Sequence, residues 1–252
     1  MIIRTEEELS GIKKVSEIVA ITLRRMQEYA KEGMNAKELD DYGGKLLSEF
    51  GAKSAPRLAY NFPGFTCICL NNEVAHGIPS ETKIFQEGDL INVDVSAEYE
   101  GFWADNGASF VLGQDVHNHL PLVETSKQIL TLAISKIKAG GKINEIGKFI
   151  ETEAKKAGYR VIKNLVGHGV GKSLHEPPKE IPNFYDRLNT GRFTKNSVIA
   201  VETFISTHSN YATELNDGWT LVGDLGGWVA QHEHTLLVTE TKPEILTYMN
   251  GI

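Results

Sequence analysis

Residues 88–111, GDLINVDVSAEYEGFWADNGASFV, place two apolar alternating runs on either side of a short EYEG turn, a pattern that reads as a β-hairpin. Successive strand side chains point to opposite faces, so Ile91, Val93 and Val95 share one face and Asn92, Asp94 and Ser96 the other. Asp105 follows Asp94 by eleven residues across the turn, so the two carboxylates can lie side by side. Aspartate and glutamate are poor strand residues, and a carboxylate buried in a sheet is costly without a partner. Downstream, Glu202 in VIAVETFI and Glu233 in WVAQHEHTLLV occupy the same unfavourable setting. Any one of these acids could be a solvated residue at a strand edge. Four converging together would repel one another and hold protons, and the Lys and Arg residues lie chiefly on predicted helices. Divalent metal is the simplest compensator, and an oxygen-rich set able to bridge suggests two ions.

Composition bounds the rest. The chain has 252 residues, 26 basic and 33 acidic, for a net charge of −7, with 41% hydrophobic and 23% charged residues. Those are globular proportions, which exclude a disordered chain. No apolar run approaches the roughly 18 residues of a bilayer span. The opening MIIRTEEELS has no cationic segment followed by an apolar stretch, so no secretory signal is expected. Net acidity without a basic block argues against nucleic acid as the main ligand, and the lack of a spanning apolar run argues against a membrane. Cys67 and Cys69 are too few for a disulfide framework; they read as small buried strand residues in a reducing cytoplasm.

Helical spacing predicts a first helix from about Thr5 to Ala30, with Thr5 and Glu8 as a capping box. Its apolar face carries Leu9, Ile12, Val15, Val19 and Met26. Asn35 is an N-cap for a second helix ending near Phe50, with Gly51 as its stop. Strands follow around residues 66–71, 90–97 and 103–112. The second part repeats the order: helices from about 120 to 138 and 144 to 157, then strands near 159–165, 197–205 and 228–238. At an offset of 107, Lys31, Gly33, Glu38, Leu39 and Gly51 map onto Lys138, Gly140, Glu145, Ile146 and Gly158. The expectation is an α/β (α+β) chain forming one domain over 1–252. Its pseudo-symmetric halves, about 1–113 and 114–252, would be helix–helix–antiparallel-sheet units facing a central cleft.

Histidines supply nitrogen ligands and acid–base groups. His76 in NNEVAHGIPS, and His168 and His175 in NLVGHGVGKSLHEPP, belong to segments where glycine allows a close backbone approach at a loop mouth. His117, His119 and His208 sit in polar surroundings and read as surface residues. His232 and His234 alternate to the face opposite Glu233, which suits packing.

The segments NFPGFTCICLNNEVAHGIPS, GDLINVDVSAEYEGFWADNGASF, KNLVGHGVGKSLHEPP, VIAVETFI and VAQHEHTLLV together carry a resemblance in residue, order and spacing. Over nearly its whole length the chain resembles the type I methionine aminopeptidases of the bacterial kind. The resemblance implies the pita-bread fold around a central metal cleft, and removal of N-terminal methionine from nascent chains with a small second residue. It implies two divalent ions (Mn, Co, Fe or Zn) held by Asp94, Asp105, His168, Glu202 and Glu233. Asp105 and Glu233 would bridge, Asp94 would complete one ion, and His168 with Glu202 the other. A hydroxide activated by the two metals would attack the first peptide bond while Glu202 shuttles the proton. His76 would assist the tetrahedral state or the departing amine, and His175 would hydrogen-bond the substrate carbonyl. Phe62, Cys67 and Trp219 match the methionine pocket, although residue type alone would make Phe62 and Trp219 plain core. The implied setting is cytoplasmic and monomeric, with transient work near the ribosome.

Three residues depart from the family pattern beside ligands: Asn106 for Ser or Thr, Thr203 for proline, and His232 for a hydrophobe. None removes a ligand, so activity is expected. An Xaa-Pro peptidase on the same fold would carry a sizeable extra N-terminal domain, and here only about 65 residues precede the first strand. A catalytically silent peptide- or ribosome-binding relative would be expected to have lost ligands.

Overall fold

Thr5 stops the chain from entering helix any earlier: its Oγ1 accepts the Glu8 N–H at 3.2 Å, and α1 runs Glu6–Tyr29. The expected capping box closes only on that side. The Glu8 carboxylate reaches one residue further back and accepts from the Arg4 N–H at 2.8 Å. At α2 (Ala36–Glu49) the box is complete, with Asn35 and Glu38 exchanging side-chain-to-backbone bonds. After these come β1 (Lys53–Ser54), α3 (Ala55–Tyr60), β2 (Cys67–Leu70), β3 (Glu73–Ala75), β4 (Leu90–Tyr99) and β5 (Phe102–Val111). Glu100 and Gly101, both at positive φ (50° and 82°), make the two-residue turn between β4 and β5. Backbone twist of that hand suits a right-twisted hairpin. The structure is a computed structural model and describes residues 1–252.

The second half supplies α4 (Leu120–Ile134), α5 (Ile143–Lys156), β6 (Arg160–Val161), β7 (Gly167–Gly169), β8 (Glu176–Ile181) and β9 (Val198–Ser206). It continues with β10 (Ala212–Glu214), β11 (Leu221–Gly223), β12 (Val229–Leu237) and β13 (Glu244–Ile245). The element bounds follow the 107-residue offset: α2 and β1, moved by that number, land on the bounds of α5 and β6. Gly51 and Gly158, which end the two helices, both take the left-handed backbone, at φ 75° and 84°. That conformation is available to glycine at little cost.

The main sheet runs β1-β4-β5-β12-β9-β7-β8, with β2 beside β4, β6 beside β9 and β13 beside β12. The halves therefore meet where β5 pairs β12. Two apolar clusters back the sheet. One joins α1 and α2 to β4 and β5 through Ile12, Val15, Val19, Leu23, Leu39, Val93 and Val95. The other joins α4 and α5 to β9 and β12 through Leu122, Ile129, Ile146, Ile150, Val201 and Leu236. A small sheet, β10-β11-β3, crosses between halves. No helix is long and apolar enough to cross a membrane.

Some expectations shift. The helix expected to reach residue 138 ends at Ile134, because the chain tightens into turns, with Lys136 and Ile137 N–H bonded three residues back. The strand expected over 159–165 is only the two-residue β6. His119 is buried, 3% exposed, with its ring 4.5 Å from Trp228. Its polar neighbour Asp115 is engaged in accepting the His119 and Leu120 N–H groups, which ties the start of α4 inward.

Candidate metal centre

Glu202 and Glu233 are direct partners across β9 and β12, so their side chains leave the same face together. Across β4 and β5, Asp105 faces Ser96 and Asp94 faces Gly107, which makes the two aspartates diagonal neighbours on one face. His168 stands on the strand β7 opposite Ala200 of β9, where a loop was expected from its flanking glycines. His175 does lie in a loop, just before β8. These six residues line one cavity of about 380 Å³ together with His76, Phe62, Cys67 and Trp219. All the site residues singled out from the sequence thus meet in one place.

Asp105, His168 and Glu233 are buried, and one ligating atom from each lies within 4.8 Å of the others. Asp105 Oδ1 and Glu233 Oε1 are buried with no hydrogen-bond partner. The surrounding bonds orient these carboxylates without consuming those oxygens. Glu233 Oε2 accepts from Gln231 Nε2 at 3.1 Å, and Gln231 Oε1 accepts in turn from Asn92 Nδ2 at 2.8 Å. The Asp105 backbone is fixed at both ends by one hydroxyl: its N–H donates to Thr235 Oγ1, which donates to the Asp105 carbonyl.

Burial pushes the Asp94 carboxyl up to about 6. Burial, then the charges of neighbouring acids, pushes Asp105, Glu202 and Glu233 well above the usual carboxylate range. Without cations this cluster holds protons; positive charge among the acids removes that need. The orphaned, convergent oxygens fit a divalent cation. His168 fits as well. Its Nδ1 lies 3.0 Å from the Gly169 carbonyl, which only accepts, so Nδ1 bears the proton and Nε2 the lone pair. Nε2 lies 3.8 Å from Asp105 Oδ2. Burial, with His175 nearby, lowers the His168 pKa to about 3, which keeps the ring neutral as a metal ligand requires.

His76 follows β3 with φ at 53°, a left-handed conformation rare outside glycine, at the cavity mouth. His175 is exposed there too, its ring 4.0 Å from that of His168. Burial is the main cause lowering both pKa values. The apolar wall is Phe62, buried and edge-on to Trp219 at 5.1 Å between centroids. Cys67 faces Asp94 in register, and burial raises its thiol pKa, so it stays a neutral lining group.

The departing residues form structure of their own. Thr203 and His232 are cross-strand partners, and Ser126 of α4 sits 3.1 Å from both the Thr203 hydroxyl and His232 Nδ1. All three are buried, on the side of the sheet away from the cavity. Asn106 Nδ2 donates to the Val95 carbonyl at 2.9 Å. Sequence reading missed Tyr60, which also lines the cavity, because α3 is too short to show a helical period. The available signal was Ser54 followed by Pro56: the Ser54 hydroxyl caps the Arg57 N–H and the proline opens the helix.

The comparisons agree with this geometry. The pattern of metallopeptidase family M24 matches residues 10–240. The chain is 45% identical over 247 residues to methionine aminopeptidase 2 of Bacillus subtilis (strain 168), covering 98% of this chain and 99% of that one. It superposes on a crystal structure of methionine aminopeptidase from Thermotoga maritima with a TM-score of 0.93 at 33% identity, covering 98% of this chain and 99% of that chain. A prolidase from Pyrococcus furiosus shares the fold at a TM-score of 0.77 and 24% identity; 98% of this chain is covered, but only 65% of that one. Conjoined helix–helix–sheet halves, acids from both of them and a family match over residues 10–240 lead to one assignment: the chain belongs to metallopeptidase family M24.

Proposed function

We propose that the chain acts over its whole length as a single catalytic domain, a methionine aminopeptidase that removes N-terminal methionine from nascent proteins and peptides. The observation that carries this reading is the buried Asp105–His168–Glu233 group with its unpartnered oxygens, in one cavity with an apolar Phe62–Trp219 wall. The relatives of matching length support it, and the Xaa-Pro alternative is not favoured.

Two divalent ions would be held by Asp105 and Glu233, with Asp94, His168 and Glu202 completing the donor set. When bound, the ions supply the positive charge that acidifies a water and polarises the scissile carbonyl. The Glu202 carboxylate takes the proton from the attacking water and delivers it to the departing amine nitrogen. His175 donates to the carbonyl oxygen as charge builds there, and His76 approaches the leaving nitrogen. Phe62, Trp219 and the Cys67 thiol receive the methionine side chain. Substrates are nascent N-termini with a small second residue, met in the cytoplasm near the ribosome by a monomer. Mn, Co, Fe and Zn all suit the donor set.

The test is release of free methionine from Met-Ala-Ser, Met-Lys-Ser and an Ala-Pro peptide, after chelation and after adding back Mn, Co, Fe or Zn. Metal-dependent release from Met-Ala-Ser alone is expected. Cleavage of only the Ala-Pro peptide would move the activity to the prolyl branch. Silence with every metal would leave a binding protein.

A further inference from the structure

Tyr60 is the last residue of α3, and its hydroxyl lies 2.6 Å from His175 Nδ1. Its position is set by the helix end. Asn61 takes the left-handed conformation (φ 58°), and the Asn61 and Phe62 N–H groups bond back to Arg57 and Pro56 carbonyls. Arg57 then ties the following loop to the helix through the Pro63 and Gly64 carbonyls, with its guanidinium 3.6 Å over the Phe65 ring. The segment that carries Phe62 into the apolar wall therefore also fixes Tyr60. On the other side, Ser173 Oγ donates to the His175 carbonyl at 2.9 Å and steadies that loop.

The direction of the Tyr60–His175 bond follows from elementary acidity. A phenol O–H is a better donor than a neutral imidazole N–H, and an imidazole lone pair is a better acceptor than a phenol oxygen. The hydroxyl therefore donates to Nδ1, and the single ring proton of neutral His175 resides on Nε2, the nitrogen left for the cavity. His168 next to it is the mirror case. A carbonyl fixes its proton on Nδ1 and leaves Nε2 as a lone pair toward Asp105. Two neighbouring histidines, their rings tilted by 43°, are thus set as opposite tautomers by two different partners, one a lone-pair donor to a cation and the other a hydrogen-bond donor to an oxygen.

We propose that Tyr60 is a positioning residue for the reaction: its hydroxyl holds His175 as the Nε2–H tautomer, oriented to donate to the substrate carbonyl oxygen. The proposal rests on the methionine aminopeptidase reading above.

The experiment uses the full chain loaded with Zn, which is diamagnetic, and ¹⁵N-labelled histidine. Long-range ¹H–¹⁵N correlation assigns each ring tautomer, with His175→Asn identifying the His175 signals. The wild type should show Nε2–H at His175 and Nδ1–H at His168. Tyr60→Phe should shift or broaden only the His175 signals. It should lower kcat on Met-Ala-Ser by about three- to tenfold, the range of one neutral hydrogen bond, with KM unchanged. In a His175→Ala background, Tyr60→Phe should change kcat no further, since the hydroxyl acts through the ring. An Nδ1–H tautomer at His175 in the wild type overturns the proposal. So does an unchanged kcat in Tyr60→Phe, or an equal loss with and without His175. Absence of methionine release by the wild type would overturn the reaction reading instead, and the ring tautomers would still report on Tyr60.

Discussion

On α2, Asp40 accepts the Phe65 and Thr66 N–H groups and the Thr66 hydroxyl, at 2.8–3.1 Å, and Gly44 one turn later leaves room for the Phe65 ring. On α5 the same two positions, 107 residues on, hold Gly147 and Glu151, and the roles are exchanged. Here the glycine comes first, lying under the Pro182 and Phe184 carbonyls, and the acid one turn later accepts the Tyr185 N–H at 3.4 Å. Each half needs a small residue and an acceptor where a loop crosses its second helix, and either order of the two serves. The depth differs. Asp40 is 1% exposed, and its loop leads directly to Phe62 and Cys67. Glu151 also serves Lys155 and Lys163 near the surface, and the loop it holds, residues 182–186, adds no side chain to the cavity lining. Each half thus brings two acids to the cleft, on β4 and β5 and on β9 and β12, while the first half alone ties an anchor of this depth to the apolar wall of the cavity.

The sharpest way to break the comparison is at the centre, where each half contributes one oxygen-orphaned acid. Asp105→Asn and Glu233→Gln should each lower kcat/KM on Met-Ala-Ser by about 10³-fold or more, the several kcal/mol that metal activation supplies. Metal bound per chain, measured by atomic spectrometry, should fall equally in both. Full metal occupancy in one variant and loss in the other would show that the halves do not share the centre evenly.

The next effect separates the two anchors. Asp40→Ala leaves the half-buried Phe65 N–H and the buried Thr66 N–H and hydroxyl without their acceptor. It should cost about 3 kcal/mol, roughly 6–12 °C in Tm, and should raise KM for methionine peptides because the Phe62 loop loosens. Glu151→Gln should cost about 0.5–1 kcal/mol and leave KM unchanged, as expected of a half-screened pair. Thermal melts and steady-state kinetics on the two variants decide it. A KM change with Glu151→Gln would sink the distinction.

Much of this arrangement was legible in the residues, and the reason is specific. Acids in apolar strands announce themselves because the setting is costly, so Asp94, Asp105, Glu202 and Glu233 stand out when taken together. The repeat was readable through its glycines and through Glu38 and Glu145 in the first turns of α2 and α5, where helix geometry demands few residue types. Tyr60 was not legible, since a six-residue helix shows no period and a tyrosine hydroxyl finds its partner 115 positions away. Nor was the linkage of Thr203 and His232, which look like two separate departures until Ser126 of α4 is seen to bridge them. The exchange of Asp40–Gly44 for Gly147–Glu151 stayed hidden for the same reason. Matching residue to residue at the offset finds conserved types, and here the function moved by one turn.

The smallest expected effect is a difference of sign with pH. Burial raises the Asp40 pKa despite the Phe65 and Thr66 hydrogen bonds that lower it. A carboxyl with a raised folded-state pKa stabilises most below its unfolded value, and that contribution is lost as pH rises through the folded pKa. For Glu151, burial acts upward too, but it is outweighed by the Lys155 hydrogen bond, the Tyr185 N–H and the Lys155 and Lys163 charges, so the pKa is lowered. Its contribution is present above the unfolded pKa and lost as pH falls through the folded one. Between about pH 3 and 6, where carboxyls titrate, the stability gap between wild type and Asp40→Asn should therefore narrow as pH rises. The gap to Glu151→Gln should widen over the same range. Urea melts of the three proteins at several pH values measure both gaps. Parallel trends would mean that the two anchors feel the same field, and that their exchange of position along the helix carries no difference in depth.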